Sequence, residues 1–209
     1  MSSLKAVRTL KEPSESTYKE KGSEFIARAF PIKSADDVQP CIDETKKKYY
    51  DASHHCFALR LKDDSFRYSD AGEPGGTAGV RILSAIDHFE LKDTLVIVTR
   101  YFGGVKLGAG KLGKAYYTSA DLVLKASTFQ EEKPFNRITI KCDFNHISLV
   151  HRSLSSYSAL IKNIKYGNKA EFESLIPAES AQSFQNELTD SSSGEITTFM
   201  EKEIIYHII

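Results

Sequence analysis

Apolar and polar residues alternate along this chain with two periods, close to two and close to 3.6, and each change of period marks a new element. Between Ser16 and Pro31, Tyr18, Phe25, Ile26 and Phe30 flank a Lys21-Gly22 turn signal, which predicts a β-hairpin. Ser34 opens a Ser-x-x-Asp pattern with Asp37, a helix start, and Val38, Cys41, Ile42, Thr45 and Tyr49 follow at helical spacing. Lys46-Lys47-Lys48 closes that helix against its own dipole. From His54 to Lys62 the period returns to two. His55, Phe57, Leu59 and Leu61 share one strand face, and His54, Cys56 and Ala58 share the other.

A short strand, Phe66 to Ser69, runs into a glycine-rich loop, after which Ile82, Leu83, Ile86 and Phe89 restore helical spacing. Leu95 to Tyr101 is apolar on both faces, as a central strand must be. A second glycine-rich loop follows, then an amphipathic helix with Leu112, Ala115, Tyr116, Ser119, Leu122, Val123 and Ala126 on one stripe. Glu131-Glu132-Lys133-Pro134 reads as a linker. Beyond it come a strand (Ile138, Ile140, Cys142, Phe144), a helix from Ile147 to Tyr157, and two strands flanking a Gly167-Asn168 turn. A helix with Ala181, Phe184 and Leu188 and a strand with Ile204, Tyr206 and Ile208 complete the order. That βαββαβ order predicts a ferredoxin-like domain. The fold class expected is α+β in two domains, residues 1–130 and 135–209.

Composition narrows the function. With 41% hydrophobic and 27% charged residues the chain is globular. Its 28 Lys+Arg against 28 Asp+Glu exclude a polycation or an acidic tail as its whole identity. The zero total hides a local asymmetry. From Thr99 to Lys125 five cations face one anion, a balance of +4, and from Lys169 to Glu203 two face eight, a balance of −6. The longest apolar run, around Leu95-Val96-Ile97-Val98, is far short of the roughly 18 residues of a membrane span. Met1 to Lys11 holds no apolar leader, and Cys41, Cys56 and Cys142 lack C-x-x-C spacing. A cytoplasmic protein with reduced cysteines is expected, with no membrane partner. Only His54 and Cys56 of the His54-His55-Cys56 cluster share a strand face, so neither a metal nor another cofactor is expected.

Nine of the 12 glycines lie between Gly72 and Gly113, in two loops that each follow a strand and open a helix. Helix starts leave N–H groups unpaired at the positive end of the dipole, and glycines let an anion approach them closely. Gly108 to Gly113 matches G-x-G-x-x-G, but no following strand ends in an acidic ribose ligand. Gly108 to Lys114 matches G-x-x-x-x-G-K, but Ala115 replaces the magnesium-binding hydroxyl and no Walker-B acid follows a strand. Both matches are accidental. Two functions remain. One is RNA or ribosome binding, with Arg100, Lys106, Gly108, Gly110, Lys111 and Lys114 taking phosphates and Tyr101, Phe102, Tyr116 and Tyr117 available for stacking. The other is an enzyme or a protein for an anionic ligand, with its site between the glycine loops and His54, Asp70, Glu73, Thr77, Arg100 and Tyr101 as acid–base candidates. A purely structural arrangement is the third possibility. There Asp70 and Glu73 cap the helix near Gly76, Arg100 pairs with one of them, the tyrosines pack inside, and the histidines bond to backbone.

The segments His54-x-Cys56-x-Ala58, Ser69 to Gly79 with Ile82-Leu83, and Val98 to Gly110 with Ala115-Tyr116 resemble the YigZ/IMPACT family over roughly residues 17 to 127. The βαββαβ tail resembles the second domain of its bacterial YigZ-type members. Ala71 stands where a second acidic residue is common, Arg81 lies near a usual proline, and Lys111 replaces a glycine while Lys114 keeps the cationic position. The resemblance implies an N-terminal domain similar to domain 2 of ribosomal protein S5. It implies a C-terminal domain similar to the ferredoxin-like domains of elongation factor G, and with them a link to the regulation of translation. Eukaryotic members linked to a stress kinase pathway carry an extra RWD domain, for which 209 residues leave no room, so that partner is not expected here.

Overall fold

The computed structural model describes residues 5–208; Met1 to Leu4, part of the segment read for a leader, lie outside it. Two compact units divide between Glu131 and Glu132. In the first, the strands are β1 (Val7–Leu10), β2 (Ser14–Glu20), β3 (Ser23–Pro31), β4 (His54–Arg60), β5 (Phe66–Ser69) and β6 (Thr94–Tyr101). The helices are α1 (Val38–Lys48), α2 (Gly79–His88) and α3 (Ala109–Ala126). The sheet order is β2-β3-β6-β4-β5 with every neighbour antiparallel. β6 is central and residues 94–100 are all buried, as its two-faced apolar pattern requires.

The alternation along β4 sorts the two cores. Cys56 and Ala58 join Phe25, Ala27, Val96 and Val98 beneath α2 and α3. Leu59, with Phe57 and Leu61, joins Leu95 and Ile97 beneath α1. Before α1, Ser34 and Asp37 form the expected capping box, with Asp37 accepting from the N–H groups of Lys33 and Ser34 at 2.7 and 2.9 Å. The hairpin turn is Lys21-Gly22, both at positive φ, because Glu20 pairs directly with Ser23.

The second unit contains β7 (Phe129–Cys142), α4 (Ile147–Ser156), β8 (Leu160–Tyr166), β9 (Ala170–Pro177), α5 (Ala181–Ser191) and β10 (Thr197–Ile208). Its strands run in the order β10-β7-β9-β8, all antiparallel, which is the ferredoxin-like arrangement. Ile138, Ile140, Cys142, Phe172, Phe184 and Leu188 form its core.

Three sequence expectations need correction. Glu131 to Pro134 is not a linker, because β7 runs through it unbroken and Pro134 pairs with Tyr206 of β10. The proline is tolerated because the β9 ladder starts only at Phe135, and the Pro134 carbonyl still accepts the Ala178 N–H at 3.0 Å. Phe144 lies past the end of the strand in a 3-10 turn, 55% exposed. On α3 the buried stripe holds Ala120 and Leu124, while Leu122 and Ala126 face solvent. The buried stripe follows the i, i+3, i+4 rows through Leu112, Ala115, Tyr116, Ser119, Ala120, Val123 and Leu124, which pack in one core with Ala27, Ala29 and Cys56.

At the end of β6 the backbone touches the β2–β3 turn so closely that a Cβ on Gly103 would fall 1.9 Å from the Gly22 carbonyl carbon. Nothing lies within 4 Å of a Cβ on Gly110, in the first turn of α3. Gly103→Ala is therefore expected to cost about 2 kcal/mol or more, since backbone must move. Gly110→Ala is expected to gain about 0.5–1 kcal/mol from helix propensity and a smaller unfolded ensemble. Urea midpoints read both; a Gly103→Ala midpoint equal to wild type would contradict the packing described.

Candidate functional site

The first glycine loop is folded around one carboxylate. Asp70, directly after β5, accepts from the N–H groups of Gly76 at 2.9 Å, Ala78 at 2.9 Å and Gly79 at 2.8 Å. Burial opposes its charge, but these backbone N–H groups outweigh it and hold the carboxyl below its ordinary value. The amides that a phosphate would use at the start of α2 thus already hold an anion of the chain itself. Asp70 caps α2 alone, because Glu73 turns inward, and Thr77 donates to the Pro74 carbonyl at 2.6 Å within the same loop.

Glu73 meets Arg100, which β6 delivers at its end. Arg100 Nη1 donates to Glu73 Oε1 at 2.7 Å, with side-chain exposures of only 6% and 4%. Arg100 Nη2 donates to Ser23 Oγ at 3.3 Å, and the guanidinium lies 5.4 and 5.5 Å from the Phe25 and Phe102 ring centres. Its Nε is buried with no partner. Tyr116, fully buried on α3, donates to the same Glu73 oxygen at 2.8 Å. Cys56 Sγ lies 3.0 Å from the Asp70 carbonyl and 3.4 Å from Tyr116 Oη. Burial first, and then the charges of Glu73 and Asp70, push the Cys56 thiol up to about 12 against the opposing hydrogen bond to Tyr116. Burial first, then Cys56 and Glu73, push the Tyr116 hydroxyl up as well. Cys56 is therefore an inert thiol rather than a nucleophile.

His54 sits opposite Arg100 in the β4–β6 register. Its Nδ1 is 2.9 Å from the Ala71 carbonyl, which can only accept, so Nδ1 carries the proton. Its Nε2 lies 4.0 Å from Glu73 Oε1. Among the acid–base candidates, His54, Glu73 and Arg100 thus converge and Asp70 and Thr77 shape their loop. Tyr101 stands apart on the other strand face, donating to Asp51 at 2.8 Å, with its hydroxyl pushed up to about 12 by burial and by Asp51. Among the described residues no hydroxyl or thiol is hydrogen-bonded to His54.

The second loop is arranged in the opposite way. Gly108 is the N-cap of α3 at φ +74° and offers no side-chain cap. The first helical bond runs from Leu112 N–H to Gly108 O at 2.9 Å. The N–H groups of Ala109, Gly110 and Lys111 have no acceptor among the described residues and open onto solvent. Beside them Lys21 of the hairpin turn, through its hydrogen-bonding influence and then charge repulsion, lowers the Lys111 pKa. Lys106, Lys111 and Lys114 are all exposed, and none has an ion pair among the described residues. Arg100 is instead buried in its own network. Of the aromatic candidates only Phe102 is displayed, at 49% exposure; Tyr116 is buried and Tyr117 packs partly against the core.

Two further cations join this site without a signal of their own in the charge pattern. Lys21 arrives through the Gly22–Gly103 contact, a long-range approach that local spacing does not reveal. Arg81 is exposed on the first turn of α2, its side chain alongside Gly113 of α3. Helix spacing from Gly79 places it on the solvent side, which was the available clue.

These features define a two-unit α+β protein with one buried polar network and one open, cationic helix start. Residues 21–124 match the Impact N-terminal domain and residues 140–195 match a domain of unknown function, DUF1949. The chain is 32% identical over 200 residues to the IMPACT family member YvyE of Bacillus subtilis (strain 168), covering 95% of this chain and 92% of that one. It is 29% identical to the IMPACT family member YigZ of Escherichia coli (strain K12), over 84% and 88% of the two chains. A crystal structure of a hypothetical protein superimposes with a TM-score of 0.67 at 26% identity, covering 95% and 98% of the two chains. The chain belongs to the IMPACT family. No described helix is long and apolar enough to cross a membrane.

The Asp70 cradle has a pH signature. Its folded-state pKa is depressed, so its stabilisation is complete above the unfolded value and is lost as pH falls through the folded one. Asp70→Asn is expected to cost about 2 kcal/mol at neutral pH, the range for hydrogen bonds to a charged group, and to shrink the acid-side loss of stability. Urea unfolding from pH 7 to pH 3 measures this; equal costs at both ends would contradict it.

Proposed function

We propose that the first unit binds RNA and acts in the regulation of translation, with backbone phosphate seated at the start of α3. One observation carries this reading. Three N–H groups without an acceptor among the described residues stand at a helix start flanked by the exposed cations Lys111 and Lys114, a setting that favours an anion. The contrast with α2 supports it, since there the same geometry is already satisfied by Asp70. Lys106 and Lys114 extend the cationic surface along a strand of phosphates, and the half-exposed Phe102 ring offers a stacking face for a base. Membership of the IMPACT family, and folds resembling those of ribosomal protein S5 and elongation factor G, support translation as the setting.

A catalytic function at the same end of the sheet has less support. His54, Glu73 and Arg100 converge, but Glu73 Oε1 is taken by Arg100 and Tyr116, and among the described residues no hydroxyl or thiol is hydrogen-bonded to the imidazole.

Fluorescence anisotropy with a single-stranded RNA 20-mer at several salt concentrations tests the proposal. The Lys111→Glu, Lys114→Glu double variant is expected to bind more weakly and to flatten the log–log salt slope by roughly 0.7 for each phosphate it no longer neutralises. Phe102→Ala is expected to cost about 1–3 kcal/mol of binding with the salt slope unchanged. Affinity unmoved by the lysine changes, or wild-type binding no tighter than a neutral control protein, would overturn it.

A further inference from the structure

On the α1 face of the first unit's sheet lies a half-open groove of about 400 Å³, within the size range of small-molecule sites. Its floor is apolar, made by Ile42 of α1 and Phe57 of β4. Its polar lining is Gln39, Lys46, Ser53, His54, His55 and Ser69, and no carboxylate lines it.

The hydrogen bonds around the groove fix which way these polar groups point their protons. Thr99 is fully buried, and its one side-chain partner among the described residues is His55 Nδ1, at 3.0 Å. A buried hydroxyl proton needs an acceptor, so Thr99 donates and His55 carries its own proton on Nε2. Burial first, then the charges of Lys46 and His54, keep the His55 pKa below the ordinary histidine value, so this neutral tautomer persists at pH 7. Ser53 Oγ accepts the Phe102 N–H at 3.4 Å, and Ser69 Oγ accepts the Ala71 N–H at 3.2 Å. Each serine is left with its O–H proton and no acceptor for it among the described residues. Lys46 has no ion pair among them. The groove therefore presents four donors, an ammonium, an imidazole N–H and two hydroxyl protons, beside two apolar side chains, against two neutral acceptors, the Gln39 carbonyl and His54 Nε2.

We propose that this groove binds a small organic oxyanion, a carboxylate or phosphate monoester, whose flat apolar body lies on Phe57 and Ile42. An acceptor-rich, negatively charged head matches the Lys46 ammonium and the other donors where no acid competes for them, and an apolar body matches Phe57 and Ile42. The site is separate from the RNA surface at α3, so each can fail without the other. It meets the Glu73–Arg100 network only through His54, whose Nδ1 proton goes to the Ala71 carbonyl.

The test is NMR titration of the full chain with phenyl phosphate and with benzoate, using benzamide and inorganic phosphate as controls. At least one aromatic anion should give saturable shifts at the His55 ring and at the amides of 42–57, and which one does so distinguishes phosphate from carboxylate. Lys46→Ala, an exposed change, and His55→Gln should each weaken that binding about tenfold, the loss expected for one charge-assisted or buried hydrogen bond. Lys111→Glu should leave it unchanged. No saturable shift, equal binding of benzamide, equal binding of inorganic phosphate, or shifts confined to the start of α3 would each overturn the proposal.

Discussion

Glu73 and Arg100 meet at 2.7 Å with almost no exposure, and the functional end of the first unit depends on that contact. Taking both charges out of water costs several kcal/mol per ion, so attraction alone does not explain the pair. What offsets the cost is the rest of the network. Tyr116 gives Glu73 a second donor, while Ser23 and the rings of Phe25 and Phe102 surround the guanidinium. The return is position more than stability. The pair ties the loop after β5 to the central strand, to the start of β3 and to α3 at once.

From that anchor the two glycine loops follow different courses with the same backbone physics. In the first, the amides at the start of α2 are closed by Asp70. In the second, the chain leaves β6 pressed against the Gly22 backbone and enters α3 through a glycine that has no side chain to cap it. One helix start is filled from within and the other has no acceptor among the described residues. Charge behaves similarly elsewhere. Part of the acidic C-terminal third is neutralised within the second unit, where Glu171 pairs with Lys141, Glu173 with Lys165 and Glu201 with Arg137.

Much of this was legible in the sequence, because period and turn chemistry are local. The Lys21-Gly22 hairpin, the two faces of β4, the buried β6 and the βαββαβ order all follow from residue spacing. Pro134 misled because a proline within a strand depends on which neighbour needs its missing N–H, which is a tertiary matter. The buried stripe of α3 was misplaced at Leu122 and Ala126 because which rows of a helix meet the core is also a tertiary matter. The candidate site was half legible. Lys106, Lys111 and Lys114 were found from charge, but Arg100 is buried and Lys21 joins from the far hairpin. Whether a cation points to water or to a carboxylate 27 residues away is decided by packing, which spacing alone does not encode.

The central claim is that Glu73 and Arg100 act as one unit, and a double-mutant cycle in urea measures it most directly. Glu73→Leu and Arg100→Met should each cost about 3–5 kcal/mol, because each strands a buried charged partner. The double variant should lose much less than their sum, giving a coupling energy above about 2 kcal/mol. Additive losses, with coupling near zero, would contradict the account.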